Sequence, residues 1–100
     1  MGNEVSAVRM VVHGRVQGVG YRAWAHHQAE LHGLAGWVRN RSDGSVEAVI
    51  CGPSDLVQVM LKTCHDGPRH AEVESVEAEP LSPETAGIEP GSKFVVRETV

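Results

Sequence analysis

The sequence predicts an α+β fold in which strands and helices follow one another in the order βαββαβ, with one more strand at the C-terminal end. Two patterns predict it: in some stretches apolar residues recur at every second position, and in two others they recur at helical spacing. The chain has 100 residues, of which 41% are apolar, so residues 1–100 have room for a single domain with one hydrophobic core.

The first strand is predicted over residues 8–13, where Val8, Met10 and Val12 occupy every second position. We expect residues 1–6, which precede it, to be flexible. The strand runs directly into a glycine-rich stretch with the sequence GRVQGVGYR.

The first helix is predicted over the segment AWAHHQAELHG, which is rich in Ala, Leu, Gln and Glu and ends at Gly33. Its predicted packing stripe consists of Trp24, His27, Gln28 and Leu31. Two short β-prone runs follow at residues 36–40 and 45–51, and the turn dipeptide formed by Asp43 and Gly44 predicts that they pair as a hairpin.

The second helix is predicted from apolar residues at helical spacing, and it ends at the sequence DGP. Those residues are Leu56, Val57, Met60, Leu61 and Cys64. A strand follows at residues 71–79, and the spacing of three between Val73 and Val76 predicts a bulge in it. Residues 81–92 are dense in Pro, Gly and Ser and are predicted to be a loop, before a closing strand at residues 93–97.

This order of elements, with short connections around the helices, favours a ferredoxin-like sandwich. Both helices are expected to cover one face of an antiparallel sheet. The opposite face is then partly solvated, which the charged alternate positions of the strands allow. The C-terminal strand is appended to this arrangement, and its register stays open.

Charge and composition exclude several classes of partner. The formal net charge of −4 gives no electrostatic footprint for nucleic acid, and no apolar run reaches the roughly 18 residues of a membrane span. The N-terminal residues fit the pattern for myristoylation at Gly2, but no basic cluster supplies a second anchoring signal, so we expect no membrane partner. Cys51 and Cys64 form no pairing motif and read as packing residues of a cytoplasmic protein, and the histidines show no ligand spacing, so no metal is expected.

The glycine-rich stretch has the composition of an anion-binding loop. Gly14, Gly18 and Gly20 remove side chains from a turn between a strand and a helix, so that backbone N–H groups can point at one anion. Arg22 stands at the start of the helix, where its guanidinium can bind two phosphoryl oxygens. A tight glycine turn with a solvated Arg explains the same residues equally well.

A dinucleotide site is the sharper alternative, because residues 18–23 satisfy the pattern GxGxxG/A. Two features oppose it. Asn40 stands where the acidic residue for the ribose is expected, and the second strand turns back through a hairpin instead of crossing over.

Taken together, three segments resemble the acylphosphatase family: GRVQGVGYR is similar to its loop, HGLAGWVRN to its helix exit and second strand, and DGSVEAVICGP to its third strand. The resemblance runs from residue 8 to about residue 77. Asn40 follows Arg22 at the family's interval of eighteen residues.

The resemblance implies an enzyme that hydrolyses the carboxyl-phosphate bond of acyl phosphates without metal or cofactor. It assigns catalysis to Arg22, which binds the phosphoryl group, and to Asn40, which holds the attacking water. The expected phosphate-binding residues, mostly through backbone N–H groups, are Arg15, Val16, Gln17, Gly18, Val19, Gly20 and Arg22. The only expected partner of this cytoplasmic monomer is a small-molecule acyl phosphate, and no residue visibly selects its acyl portion.

Two other functions stay open on the sequence. A non-catalytic module would bind phosphate or carbamoyl phosphate through the same loop, although the presence of both Arg22 and Asn40 favours catalysis. RNA binding on an open sheet face would need exposed aromatic and basic residues, whereas the chain has four aromatic residues in 100 and is negatively charged.

Overall fold

A computed structural model describes residues 4–100, so the myristoylation pattern at Gly2 lies outside the described residues. Five strands and three helices occur in this part of the chain. In chain order they are β1 (Val5–Arg15), α1 (Tyr21–Leu31), β2 (Ala35–Asn40), β3 (Val46–Pro53), α2 (Ser54–Cys64), β4 (Glu72–Leu81), α3 (Pro83–Ala86) and β5 (Phe94–Val96). None of the helices within residues 4–100 is long and apolar enough to cross a membrane.

The strands form one sheet in the order β4-β1-β3-β2-β5, which confirms the ferredoxin-like sandwich. The four longer strands pair antiparallel as predicted, including the β2–β3 hairpin. β5 instead pairs parallel with β2. The reason is topological. β4 ends at the same end of the sheet at which β2 begins, so a chain segment that returns to the sheet from that end runs in the same direction as β2.

The predicted bulge in β4 is confirmed and fixes one of the glycines. His13 pairs with Ser75 and Gly14 pairs with Val73, which leaves Glu74 as the extra residue. Gly14 has a φ of +123°, and a Cβ there would lie 2.2 Å from the carbonyl oxygen of Glu72. Only glycine therefore fits where β1 meets this bulge.

The core lies between the sheet and the two long helices. It includes the predicted residues Val8, Met10 and Val12 of β1, and Val57, Met60 and Cys64 of α2.

The buried face of α1 differs from the prediction. Its buried residues are Tyr21, Ala25 and Ala29, whereas His27 is exposed and Leu31 is 66% exposed. The helix begins at Tyr21, whose hydroxyl donates to the carbonyl of Cys64 at 2.7 Å, and this contact turns the face of Tyr21 toward the core. The predicted stripe placed Leu31 inside and was wrong there.

Two segments expected to be irregular contain regular structure. Val5 and Ser6 belong to β1, because they pair with the end of β3, so the expected flexible start does not extend to them. In the predicted loop at residues 81–92, Leu81 ends β4 and Pro83–Ala86 form α3. Ser82 caps that helix by accepting a hydrogen bond from the N–H of Thr85 at 3.1 Å, with Pro83 at the first helical position.

The sheet face away from α1 and α2 carries a chain of paired charges. Glu47 of β3 is only 4% exposed, and its carboxylate accepts from Nε of Arg9 at 2.7 Å and from Nε of Arg39 at 2.8 Å. The guanidinium groups of Arg39 and Arg97 both stand over the ring of Trp37, at 4.6 and 4.7 Å from its centroid. Three strands, β1, β3 and β2, are thereby joined by one buried carboxylate.

Candidate active site

The connection between β1 and α1 is built on two left-handed glycines. Gly18 has a φ of +73° and Gly20 a φ of +80°, and a Cβ at either position would meet nothing within 4 Å. These glycines are therefore required by backbone conformation, in contrast to the steric need at Gly14. Gly20 is the N-cap of α1 and caps it with no side chain.

The start of α1 is electrostatically suited to an anion. The first N–H groups of a helix have no partner within the helix, and the helix dipole places partial positive charge there. The first turn of α1 carries no acidic residue, whereas that of α2 carries Asp55. The positive end of α1 is not neutralised by its own first turn.

A pocket of about 310 Å³ opens at this helix start. Its lining residues come from the loop, from α1, from the end of β2 and from β5: Val16, Gln17, Gly18, Gly20, Tyr21, Arg22, Ala23, Asn40 and Val96. Arg22 and Asn40 both line this pocket. Among residues 4–100, no acidic side chain forms an ion pair with Arg22.

Asn40 is the last residue of β2, and its side chain has an unusual environment. Its Oδ1 atom is buried and accepts no hydrogen bond from any residue in the range 4–100. A buried acceptor without a donor costs about 1–3 kcal/mol, so such atoms in native proteins generally serve a ligand or water. The backbone of Asn40 is fixed, because its carbonyl accepts from the N–H of Val100 at 3.2 Å and the residue pairs with Val46.

Gln17 connects the glycine-rich loop to the turn after Asn40 through its side chain. Its Nε2 donates to the carbonyl of Arg41 at 2.7 Å and to the carbonyl of Ser45 at 2.8 Å. These two carbonyls belong to the turn that follows Asn40, so the amide ties the loop to the strand end that carries Asn40. The sequence predicted only a phosphate-binding role for Gln17, since no local pattern indicates a side-chain contact across 24 residues.

The turn after Asn40 is held by its own side chains. Asp43 Oδ1 accepts from the backbone N–H of Ser45 at 2.9 Å and from its hydroxyl at 2.5 Å. The hydroxyl bond, more than the backbone bond, lowers the pKa of the Asp43 carboxyl below its usual value. The carbonyl groups that Gln17 binds therefore belong to an ordered turn.

The other expected phosphate-binding residues fall into two groups. Val16, Gln17, Gly18, Gly20 and Arg22 line the pocket. Arg15 and Val19 are not among the lining residues: Arg15 ends β1 with its guanidinium 3.9 Å from Glu72, and Val19 packs against the core. Tyr21, Ala23 and Val96 line the pocket but were not expected, and Val96 belongs to a strand that no sequence pattern links to the loop.

Neither cysteine takes part in the site. Cys51 and Cys64 are buried and free, and neither lines the pocket, in agreement with their interpretation as packing residues. Burial raises the pKa of the Cys64 thiol to about 12, far from the thiolate chemistry of a nucleophile. Within residues 4–100, no three His, Cys, Asp or Glu side chains gather in a way that would hold a metal ion.

Known proteins resemble this chain in both sequence and fold. The chain is 50% identical over 93 residues to an acylphosphatase of Rhodopseudomonas palustris, which covers 92% of this chain and 94% of the relative. The structure of an acylphosphatase from Coxiella burnetii matches with a TM-score of 0.83 at 35% identity, covering 93% of both chains. The structure of acylphosphatase from Bacillus subtilis matches with a TM-score of 0.83 at 32% identity, covering 92% of this chain and 98% of that one.

The family model described as Acylphosphatase matches residues 8–94, a range that contains the glycine loop, Arg22, Asn40 and the strands that join them. With most of the chain matched in sequence and in fold, the protein belongs to the acylphosphatase family.

Proposed function

We propose that this protein hydrolyses the carboxyl-phosphate bond of acyl phosphates, with Arg22 binding the phosphoryl group and Asn40 positioning the water. One observation carries the proposal: a guanidinium with no acidic partner among residues 4–100 and a buried, unsatisfied amide oxygen line one pocket. The first matches the charge of the phosphoryl group, and the second matches the hydrogen-bonding need of a water molecule.

Phosphoryl binding rests on backbone and side chain together. Backbone N–H groups of the loop residues that line the pocket and of the α1 start surround the phosphoryl oxygens, and the positive end of the helix adds to their attraction. Those loop residues are Val16, Gln17, Gly18 and Gly20. Arg22 supplies the full positive charge, through charge-assisted hydrogen bonds to two equatorial oxygens. These groups neutralise the charge of the transition state, which is the main requirement of phosphoryl transfer.

Water attack is assigned to Asn40. Its Oδ1 accepts a hydrogen bond from the water and so holds the water oxygen in line with the leaving group. A bond forms between that oxygen and phosphorus, while the bond between phosphorus and the carboxyl oxygen breaks and the carboxylate leaves with the electron pair. An amide is not a base at neutral pH, so the water proton goes to an oxygen of the phosphate itself.

The reaction as proposed uses no metal ion, since Arg22 and the backbone supply the positive charge and a carboxylate is already a good leaving group. The test is the release of inorganic phosphate from acetyl and benzoyl phosphate in the presence of excess EDTA. We expect unchanged turnover with and without the chelator. Turnover that disappears with EDTA and returns with Mg²⁺ would contradict the metal-free mechanism, and tight phosphate binding without turnover would indicate a non-catalytic module.

We also propose a cytoplasmic location and a monomeric state. Two free, buried cysteines favour a reducing compartment. Sedimentation equilibrium at assay concentrations tests the second point. A dimer whose dissociation abolishes activity would contradict it.

A further inference from the structure

Two residues that line the pocket are apolar, exposed and not used by phosphoryl binding or water attack. They are Ala23, on the first turn of α1, and Val96, on β5. Ala23 is exposed and Val96 is 48% exposed, although both side chains are apolar. Binding is favoured when a ligand covers exposed apolar surface in a pocket, because that surface is removed from water.

The position of Val96 relative to Asn40 is set by strand pairing. In the parallel register of β5 with β2, Val96 pairs with Val38, which lies two residues before Asn40 and shares its face of the sheet. The backbone on both sides is fixed: Arg97 donates its N–H to the carbonyl of Val38 at 2.8 Å, and Val100 donates to the carbonyl of Asn40 at 3.2 Å. The side chain of Val96 is therefore held beside the group that positions the water.

Charge limits what can occupy this side of the pocket. Among the described residues that line it, Arg22 is the one with a charged side chain, and the phosphoryl group uses it. A second negative charge on the acyl portion would lie against Ala23 and Val96 without a cation, and burying an unpaired charge is costly. A neutral, apolar acyl portion meets no such cost and covers both side chains.

We propose that Ala23 and Val96 form the contact surface for the acyl portion and select neutral, apolar acyl phosphates over those that carry a second negative charge. This inference rests on the proposed hydrolase function. It assigns Val96 to substrate specificity and leaves the phosphoryl chemistry to Arg22 and Asn40.

The test is kcat/KM for benzoyl, acetyl and succinyl phosphate on the full chain and its variants. The wild-type protein is expected to favour benzoyl phosphate and to disfavour succinyl phosphate, whose acyl portion carries a carboxylate. Val96→Thr keeps the branched shape but replaces one methyl group by a hydroxyl, and it is expected to lower the benzoyl-to-acetyl ratio about threefold to tenfold. Val96→Lys is expected to raise the succinyl-to-acetyl ratio by a similar factor.

Val95 provides the matched control. It is 44% exposed on the same strand, but it pairs with Trp37 on the opposite face and does not line the pocket. Val95→Thr and Val95→Lys are expected to leave both ratios unchanged. Each ratio compares two substrates on one sample, so it does not depend on the fraction of the variant that is folded.

Each outcome decides between the two proposals. If the wild-type protein hydrolyses none of the three substrates, the proposed function fails. If it hydrolyses them but the Val96 variants keep the wild-type ratios, or the Val95 variants shift them equally, the hydrolase stands and the acyl surface is refuted. Ala23→Leu, which narrows the same side, is an independent check and is expected to lower turnover of benzoyl phosphate more than that of acetyl phosphate.

Discussion

The site as proposed has two halves, a phosphate side and a water side, and the chain holds them in different ways. The phosphate side is local: the end of a strand, two left-handed glycines and the start of α1, which no side chain caps, follow one another within residues 14–22. The water side is one residue, Asn40, whose place depends on segments far away in sequence, namely the side chain of Gln17 and the backbone of Val100. In the proposed site, a local loop therefore determines which group is bound, while tertiary contacts determine where the water stands relative to it.

The sheet face behind the pocket adds a third connection between the halves. β1 leads into the loop and contributes Arg9, while β2 ends at Asn40 and contributes Arg39. Both guanidinium groups bind the carboxylate of Glu47 on the strand between them. In the proposed site, the spacing between phosphate and water is therefore set from the front by Gln17 and from behind by Glu47.

Replacing the charge on the phosphate side is expected to have the largest effect. Arg22→Gln removes the cation that neutralises the transition state, and kcat/KM should fall by about 10³-fold or more. Inhibition by inorganic phosphate should weaken as well, because the ground state uses the same contact. Arg15→Gln is the control, since Arg15 lies outside the pocket and pairs loosely with Glu72. Equal losses in the two variants would refute the assignment of Arg22.

Removing the side chain of Asn40 is expected to lower turnover without weakening the binding of phosphate. Asn40→Ala should lower kcat by about 10² to 10³, the usual loss for one positioned hydrogen-bonding group. The inhibition constant of inorganic phosphate should stay within about twofold, because the loop and Arg22 are untouched. A fully active Asn40→Ala protein would remove this residue from the mechanism and leave the site with a phosphate side alone.

The same division explains what the sequence could predict. The glycine loop, the hairpin turn and the bulge in β4 leave local patterns, and all three were predicted. The parallel pairing of β5 and the pocket wall at Val96 depend on where a distant segment re-enters the sheet, which no local pattern records.

The structure also differs from the prediction at α3 and at the buried face of α1, although the sequence carried a signal for each. The sequence SPET carries an N-cap serine and a proline at the first helical position, yet the surrounding prolines and glycines outweighed them and α3 was predicted as loop. In α1 the apolar pattern pointed to Leu31, but small alanines face the sheet instead. The apolar pattern takes account only of which residues are apolar, whereas the contact of Tyr21 with Cys64 determines which face of α1 turns toward the core.

The contact between the two halves can be tested by a double-mutant cycle. Gln17→Met keeps the length of the side chain but removes both donors, and kcat should fall about tenfold, as expected for roughly 1–1.5 kcal/mol of lost hydrogen bonding. If Gln17 acts by placing Asn40, the same change in an Asn40→Ala background should have almost no further effect. An equal factor in both backgrounds would mean that Gln17 supports the loop alone. Thermal melting of all four proteins separates loss of folding from loss of positioning.

Loss of the connection from behind, the Glu47 carboxylate with Arg9 and Arg39, is expected to have the smallest effect on catalysis. Its main effect is expected to be on the stability of the protein as a function of pH. Burial alone would raise the pKa of Glu47, but hydrogen bonds from Arg39 and Arg9 and their positive charges hold it below its usual value. A lowered folded-state pKa stabilises the protein above the unfolded value of about 4.3, and this stabilisation is lost as pH falls through the folded value.

Glu47→Gln should therefore reduce the free energy of unfolding at pH 7 by about 1.5–3 kcal/mol, the range for hydrogen bonds to a charged group. Measured by urea unfolding, the difference from wild type should shrink progressively below about pH 4.3. Glu79→Gln is the matched control, because Glu79 meets the same Arg9 at 3.4 Å but its side chain is 59% exposed, so it should change stability by less than about 1 kcal/mol. A Glu47→Gln difference that stays constant down to pH 2 would show that packing, and not charge, joins the two halves from behind.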